Sequence, residues 1–127
     1  MDAMCSALFC AVNLLATPVV SKSDATLCFD KECYPVLVGK ETPSGDYGLT
    51  LTSVSDTSYG GDVLVFKSTD KAIYAVHRIG RGKPEEKRYI RIKSNNPEDR
   101  VITSGCINVD DVLYTRLKSF SKLKIVN

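Results

Sequence analysis

From Thr17 onward the chain runs in short apolar stretches separated by turn-forming residues, the pattern of a β-rich domain. Val19-Val20-Ser21-Lys22 predicts a strand and Ser23-Asp24 a turn. Thr26-Leu27-Cys28-Phe29 and Cys33-Tyr34-Pro35-Val36-Leu37-Val38 predict two more strands, joined at Asp30-Lys31. A two-residue turn there pairs Phe29 with Glu32 and sets Cys28 opposite Cys33. Such a pair is close enough for a disulfide if its site is not hydrogen-bonded; two packed or half-exposed thiols are the alternative. Lys40 to Asp46, with Pro43 and Gly45, reads as a loop. Tyr47 to Val54 predicts a strand, Thr57-Ser58-Tyr59-Gly60-Gly61 a break, and Asp62 to Phe66 and Lys71 to His77 two further strands. Glu85 to Ile92 predicts a short helix, Ser94 to Pro97 a turn, and Val101 to Thr103 extended chain. Asp110 to Leu117 has helical spacing of Val112, Leu113, Leu117 and Phe120, with acids in its first turn to suit the helix dipole. Leu123 to Val126 predicts a closing strand. The expected fold is mainly β, a mixed or antiparallel sandwich with one C-terminal helix.

The first sixteen residues break this pattern. Met4 to Ala16 is apolar, with no charge after Asp2, and too short for a stable bilayer span. Its length suits the apolar region of a signal peptide, but Asp2 and the lack of Lys or Arg do not suit the leading region. It is either an export leader, or an N-terminal helix packed on the domain, or the end of a truncated chain. Residues 1–16 are therefore set apart from a domain over 17–127. No other stretch is long and apolar enough to span a membrane.

Composition narrows the chemistry. The 127 residues are enough for one well-buried core. A net charge of +2 is too weak to argue for nucleic acid. One histidine excludes multi-histidine metal sites, and the spread cysteines match no zinc spacing, so neither a metal nor a cofactor is expected. Five cysteines leave at least one thiol without a partner in the chain. Residues 78–100 carry eight basic and four acidic side chains, either a solvated face or a surface for carboxylates.

Two residues stand out as chemistry. In Thr103-Ser104-Gly105-Cys106-Ile107-Asn108, Gly before Cys permits a tight bend that exposes the thiol. The same bend can aim backbone N–H groups of Ser104, Gly105 and Cys106 at an oxyanion. A helix just downstream would lower the thiol pKa through its dipole. The bland reading is a small buried thiol. His77 ends an apolar strand and is the only imidazole available as base to a cysteine 29 positions away. Its bland reading is a hydrogen-bonded structural histidine.

Together these pieces resemble the catalytic domain of L,D-transpeptidases of the YkuD type. Thr42-Pro43-Ser44-Gly45 looks like that family's TPxG element, Val76-His77 its strand-end histidine, and Thr103 to Asn108 its cysteine signature. The similarity runs from about Val19 to Val126. It departs at Ser104, where the family usually has a second histidine, at Arg78, usually a small residue, and in the longer interval from His77 to Cys106.

The resemblance implies a Cys106 nucleophile and a His77 base acting on peptidoglycan stem peptides. D-Ala leaves, a thioester remains, and a 3→3 crosslink or, with water, a trimmed stem results. It also implies acylation of Cys106 by carbapenems and a periplasmic or secreted location. Tyr74, Thr103, Ser104 and Asn108 are candidates for shaping the pocket, and Arg78, Arg88 and Arg91 for meeting substrate carboxylates. Two alternatives stand beside this reading. One is a secreted antibacterial effector using L,D-carboxypeptidase or D-amino-acid exchange chemistry, partnered by an immunity protein. The other is a non-catalytic wall-binding module, against which Cys106 and His77 both argue.

Overall fold

The computed structural model describes residues 16–127. The expected leader or packed helix over 1–16, with Cys5 and Cys10, lies outside the described residues except for Ala16. Strands β1 (Val19–Ser21), β2 (Thr26–Phe29) and β3 (Glu32–Pro35) open the fold as an antiparallel meander. Asp30 and Lys31 both take left-handed backbone, φ 52° and 67°, the two-residue turn whose twist matches paired strands. It pairs Phe29 with Glu32 and Cys28 with Cys33, as the spacing predicts. The two cysteines are joined by a disulfide, with Cα atoms 4.0 Å apart.

The expected strand over 33–38 ends at Pro35, which has no N–H to continue the ladder. Val36, Leu37 and Val38, all fully buried, leave the sheet instead. Leu37 forms a bridge with Asn108 and Val38 one with Val101. The expected strand over 47–54 is likewise divided. It becomes β4 (Gly45–Gly48) in one sheet and β5 (Thr50–Ser53) in the other, with Leu49 at the corner.

β6 (Asp62–Ser68), β7 (Ile73–Arg78), β8 (Ile107–Val109) and β9 (Lys122–Val126) complete two sheets. Their orders are β3-β2-β1-β9-β4 and β5-β6-β7-β8. Most neighbours are antiparallel, but β1 with β9 and β7 with β8 are parallel. Leu27, Phe29, Phe66, Val76, Ile107 and Ile125 share the main core. The chain is mainly β, as the alternation predicts.

Between β7 and β8 the basic segment is built from short turns. The expected helix over 85–92 is interrupted by left-handed Lys87, leaving a 3-10 turn at Pro84–Glu86 and a single α-turn, α1 (Arg88–Arg91). Ile79 and Ile92 pack with Leu37 in a small second core beneath it. Helix α2 (Asp111–Leu117) is capped by Asp110, whose carboxylate accepts from the Leu113 N–H at 2.8 Å. It buries Leu113, Tyr114 and Leu117, whereas Val112, expected on that face, is 74% exposed. Tyr114 takes the place assigned to Val112, because residues 113, 114 and 117 form one stripe of a 3.6-residue helix.

Arg100 is buried at the end of a 3-10 turn (Pro97–Arg100). Its guanidinium donates to the carbonyls of Asp24 at 2.8 Å, Ala25 at 3.1 Å and Ser94, tying the basic segment to the β1–β2 turn. Arg100→Met keeps the apolar stem but strands these carbonyls. Hydrogen bonds to a charged donor contribute about 1.5–3 kcal/mol each, and they are not additive. The expected loss is therefore about 3 kcal/mol, read as a lower urea midpoint; an unchanged midpoint would show that water replaces the guanidinium at no cost.

Candidate active site

The parallel pairing of β7 with β8 brings the two candidate catalytic residues together. Val76 lies opposite Ile107, His77 opposite Asn108 and Arg78 opposite Val109. Side chains alternate along a strand, so Val76, Ile107 and Val109 enter the main core. Ala75, His77, Asn108 and Cys106, which precedes Ile107, therefore share the other face. Cys106 and His77 are diagonal neighbours there, with Cα atoms about 8 Å apart by strand geometry. The 28 residues between them, most of which form the basic segment, fold away.

His77 is only 4% exposed. Its Nδ1 lies 2.6 Å from the Arg78 carbonyl oxygen and its Nε2 3.4 Å from the Asn108 side-chain nitrogen. Tyr59 stacks on the ring, 4.1 Å between centroids at 36°. Burial lowers the imidazole pKa, with the Arg88 charge adding to it; the Arg78 carbonyl and Asp56 oppose. The ring is therefore neutral at pH 7.

Cys106 is half-buried, and its Sγ–H is directed at the Ile73 carbonyl, 3.8 Å away. Burial raises its pKa, against the opposing influence of the Ala75 backbone and the Arg88 charge. The resting pair is thus thiol and imidazole. The expected help from a helix dipole is corrected: β8 separates the cysteine from α2, whose start carries Asp110 and Asp111.

The turn before Cys106 is held from three sides. Gly105 has φ 143°, in the region that favours glycine, and a Cβ there would lie 2.6 Å from the Tyr74 ring. Thr103 Oγ1 accepts from the Gly105 N–H at 3.2 Å and donates to the Cys106 carbonyl at 2.6 Å. Buried Thr42 donates to the Gly105 carbonyl at 3.0 Å and accepts from the Gly39 N–H at 2.9 Å. The Thr42-Pro43-Ser44-Gly45 element therefore braces the cysteine turn from across the fold. Of the expected oxyanion donors, the Gly105 N–H is engaged by Thr103 at rest.

The remaining candidates divide. Tyr74 lies against Gly105, Thr103 within the turn, and Ser104 exposed beside it. Asn108 is fully buried next to His77, and Arg88 donates to its Oδ1 at 2.6 Å and to Glu86 at 2.8 Å. Arg78 lies on the opposite side of β7 from His77. It is held by Asp62 at 3.0 Å and by the Tyr59 carbonyl at 2.9 Å, with Tyr114 stacked 4.2 Å away. Arg91 braces the basic segment through the carbonyls of Glu86 and Asp99.

A cleft of about 310 Å³ opens beside this cluster, with Asp56, Tyr59, Lys83, Glu86, Arg88 and Ser104 in its walls. Both signs of charge line it, which suits a ligand bearing an ammonium and a carboxylate. In the sequence Tyr59 reads only as part of a break. The signal was Asp56-Thr57-Ser58, whose aspartate caps the 3-10 turn Thr57–Tyr59 by accepting from the Ser58 N–H.

No protein-family model and no curated protein matches the chain. Solved structures do match in fold. Bd1075 of Bdellovibrio bacteriovorus is 18% identical over 87% of this chain, with TM-score 0.54. An L,D-transpeptidase (Yku) from Stackebrandtia nassauensis is 14% identical over 87%, TM-score 0.54. An L,D-transpeptidase from Xylanimonas cellulosilytica is 15% identical over 87%, TM-score 0.51. The match spans 47%, 55% and 59% of those three chains. The two-sheet architecture is thus one that L,D-transpeptidases have.

Proposed function

We propose that this domain is a cysteine acyltransferase of the L,D-transpeptidase type, acting on peptidoglycan stem peptides outside the cytoplasm. The observation that carries the reading is that Cys106, immediately before β8, and His77 on β7 lie toward the same face of this parallel strand pair. It is supported by a fold shared with L,D-transpeptidases. The substrate class comes from that likeness; the chemistry follows from the residues.

A rotation about the Cys106 Cα–Cβ bond swings the thiol from the Ile73 carbonyl toward His77. The Asn108 amide N–H releases Nε2, which takes the proton as sulfur attacks the carbonyl joining the diaminoacyl residue to terminal D-Ala. The C–N bond breaks, the imidazolium returns its proton to the leaving amine, and D-Ala departs. A thioester remains on Cys106. The side-chain amine of a second stem then attacks it, giving a 3→3 crosslink, or water attacks and leaves a trimmed stem. In this reading backbone N–H groups at Ser104 to Cys106 receive the oxyanion. For Gly105 this requires release from Thr103 as negative charge develops.

A neutral resting pair predicts general-base activation of the thiol and no preformed thiolate. Alkylation of Cys106 by iodoacetamide, followed by peptide mass mapping, is expected to quicken steadily with pH and to keep rising beyond the ordinary thiol range, since burial pushes the thiol up. A rate flat between about pH 5 and 8 would mark an ion pair and contradict the resting state.

The reading is tested by a carbapenem. Intact-mass and peptide analysis should find one covalent adduct, on Cys106, absent in Cys106→Ala. No adduct, or one confined to another residue, overturns it.

A further inference from the structure

The basic segment sends one side chain into the buried cluster, and hydrogen-bond chemistry decides what it does there. Arg88 has only donors, so the Asn108 atom 2.6 Å from its guanidinium is the amide oxygen. The Asn108 nitrogen, also donor-only, must then face His77, 3.4 Å from Nε2. Nε2 is accordingly the nitrogen without a proton. The other side of the ring agrees independently, because a backbone carbonyl only accepts and the Arg78 oxygen lies 2.6 Å from Nδ1. Glu86 fixes the guanidinium from its far side at 2.8 Å.

We infer that Arg88, acting through Asn108 and alongside the Arg78 carbonyl, is a positioning residue that holds His77 in the tautomer whose unprotonated nitrogen is Nε2. Its catalytic meaning rests on the proposal that His77 is the base, whereas the tautomer itself does not. Asn108 is fully buried, so removing Arg88 leaves its Oδ1 without a partner. The amide then gains from turning its NH2 group away and offering oxygen to the ring, which favours a proton on Nε2 against the Arg78 carbonyl that still holds Nδ1–H. The basic segment thereby becomes part of the site's internal support. This role differs from a carboxylate clamp, in which Arg88 would contact substrate directly.

The single histidine makes the test direct, because a ¹⁵N-histidine-labelled protein shows one imidazole only. At neutral pH the native protein should show a protonated, pyrrole-type Nδ1 and a bare, pyridine-type Nε2. Arg88→Lys, which keeps a donor-only group, should retain that pattern. Arg88→Leu, checked as folded by its backbone amide spectrum, should gain a measurable share of the opposite tautomer, the Arg78 carbonyl opposing a full switch. On a tetrapeptide stem, Arg88→Leu should lower kcat by about tenfold or more with little change in KM. A bare Nδ1 in the native protein overturns the inference even if Arg88→Leu does not fold. So does a native-like imidazole spectrum in folded Arg88→Leu, or a raised KM with kcat retained. If the native protein turns over no stem peptide, the proposed function fails while the spectra still decide the tautomer.

Discussion

Cys106→Ala is expected to abolish D-Ala release from a tetrapeptide stem, and His77→Ala to reduce it by about 10²–10⁴-fold. The two losses have different origins. Without Cys106 no thioester forms in this reading, and among the described residues no other free thiol is present. Without His77 the thiol keeps its proton, since burial raises its pKa. High pH should therefore restore part of the His77→Ala activity, by ionising the thiol directly, and none of the Cys106→Ala activity. Cys106 is half-exposed, so Cys106→Ala should melt close to the native protein. Retained D-Ala release by folded Cys106→Ala, measured by coupled D-amino-acid assay, removes the nucleophile from the mechanism.

The second large effect is expected at Gly39, whose N–H donates to buried Thr42. A Cβ at this position would lie 2.1 Å from the Thr103 carbonyl oxygen and 2.8 Å from its carbon. Both are backbone atoms. The Thr103 and Ile102 N–H groups are held by the Val38 carbonyl at 3.0 and 2.9 Å, so neither segment yields without breaking the other's bonds. Gly39→Ala should cost about 3 kcal/mol. It should also push the 103–106 turn out of place, with activity falling further than stability alone explains. Gly82→Ala is the matched control, since a Cβ there meets nothing within 4 Å. Equal melting temperatures for the two variants would mean that the close approach at Gly39 is not what holds the turn.

The features legible in the sequence were local ones. The β2–β3 hairpin, its Cys28–Cys33 register and the acid-capped helix α2 follow from residues within a few positions of one another. The likeness between Thr42-Pro43-Ser44-Gly45, His77 and the Gly105-Cys106 turn pointed to the fold that solved L,D-transpeptidases share. What the chain did not disclose depends on contacts between distant segments. The divided strand over 47–54 reads as one run, because alternation continues while the chain changes sheets. Pro35 was visible, but Val36 to Val38 remained apolar enough to read as strand, and their departure to pair with Val101 and Asn108 is a tertiary choice. Val112 looked like core because spacing alone cannot tell which side of a short helix faces inward.

The arginines show the same limit at the site. As isolated cations, Arg78, Arg88 and Arg91 were equivalent. The fold separates them: Arg78 meets Asp62, Arg91 meets backbone carbonyls, and only Arg88 reaches the buried Asn108. Tyr59 carried no signal as the partner of an imidazole 18 positions later, since stacking is created by the turn at Asp56 and not by spacing.

The central claim is acyl transfer from a wall peptide through Cys106. The direct measurement is incubation of the protein with purified peptidoglycan containing tetrapeptide stems, then mass analysis of the released fragments. The expected result is loss of terminal D-Ala, with stems either joined by 3→3 crosslinks or shortened by water, and none of this with Cys106→Ala. Stems that remain intact in the presence of folded native protein would contradict it.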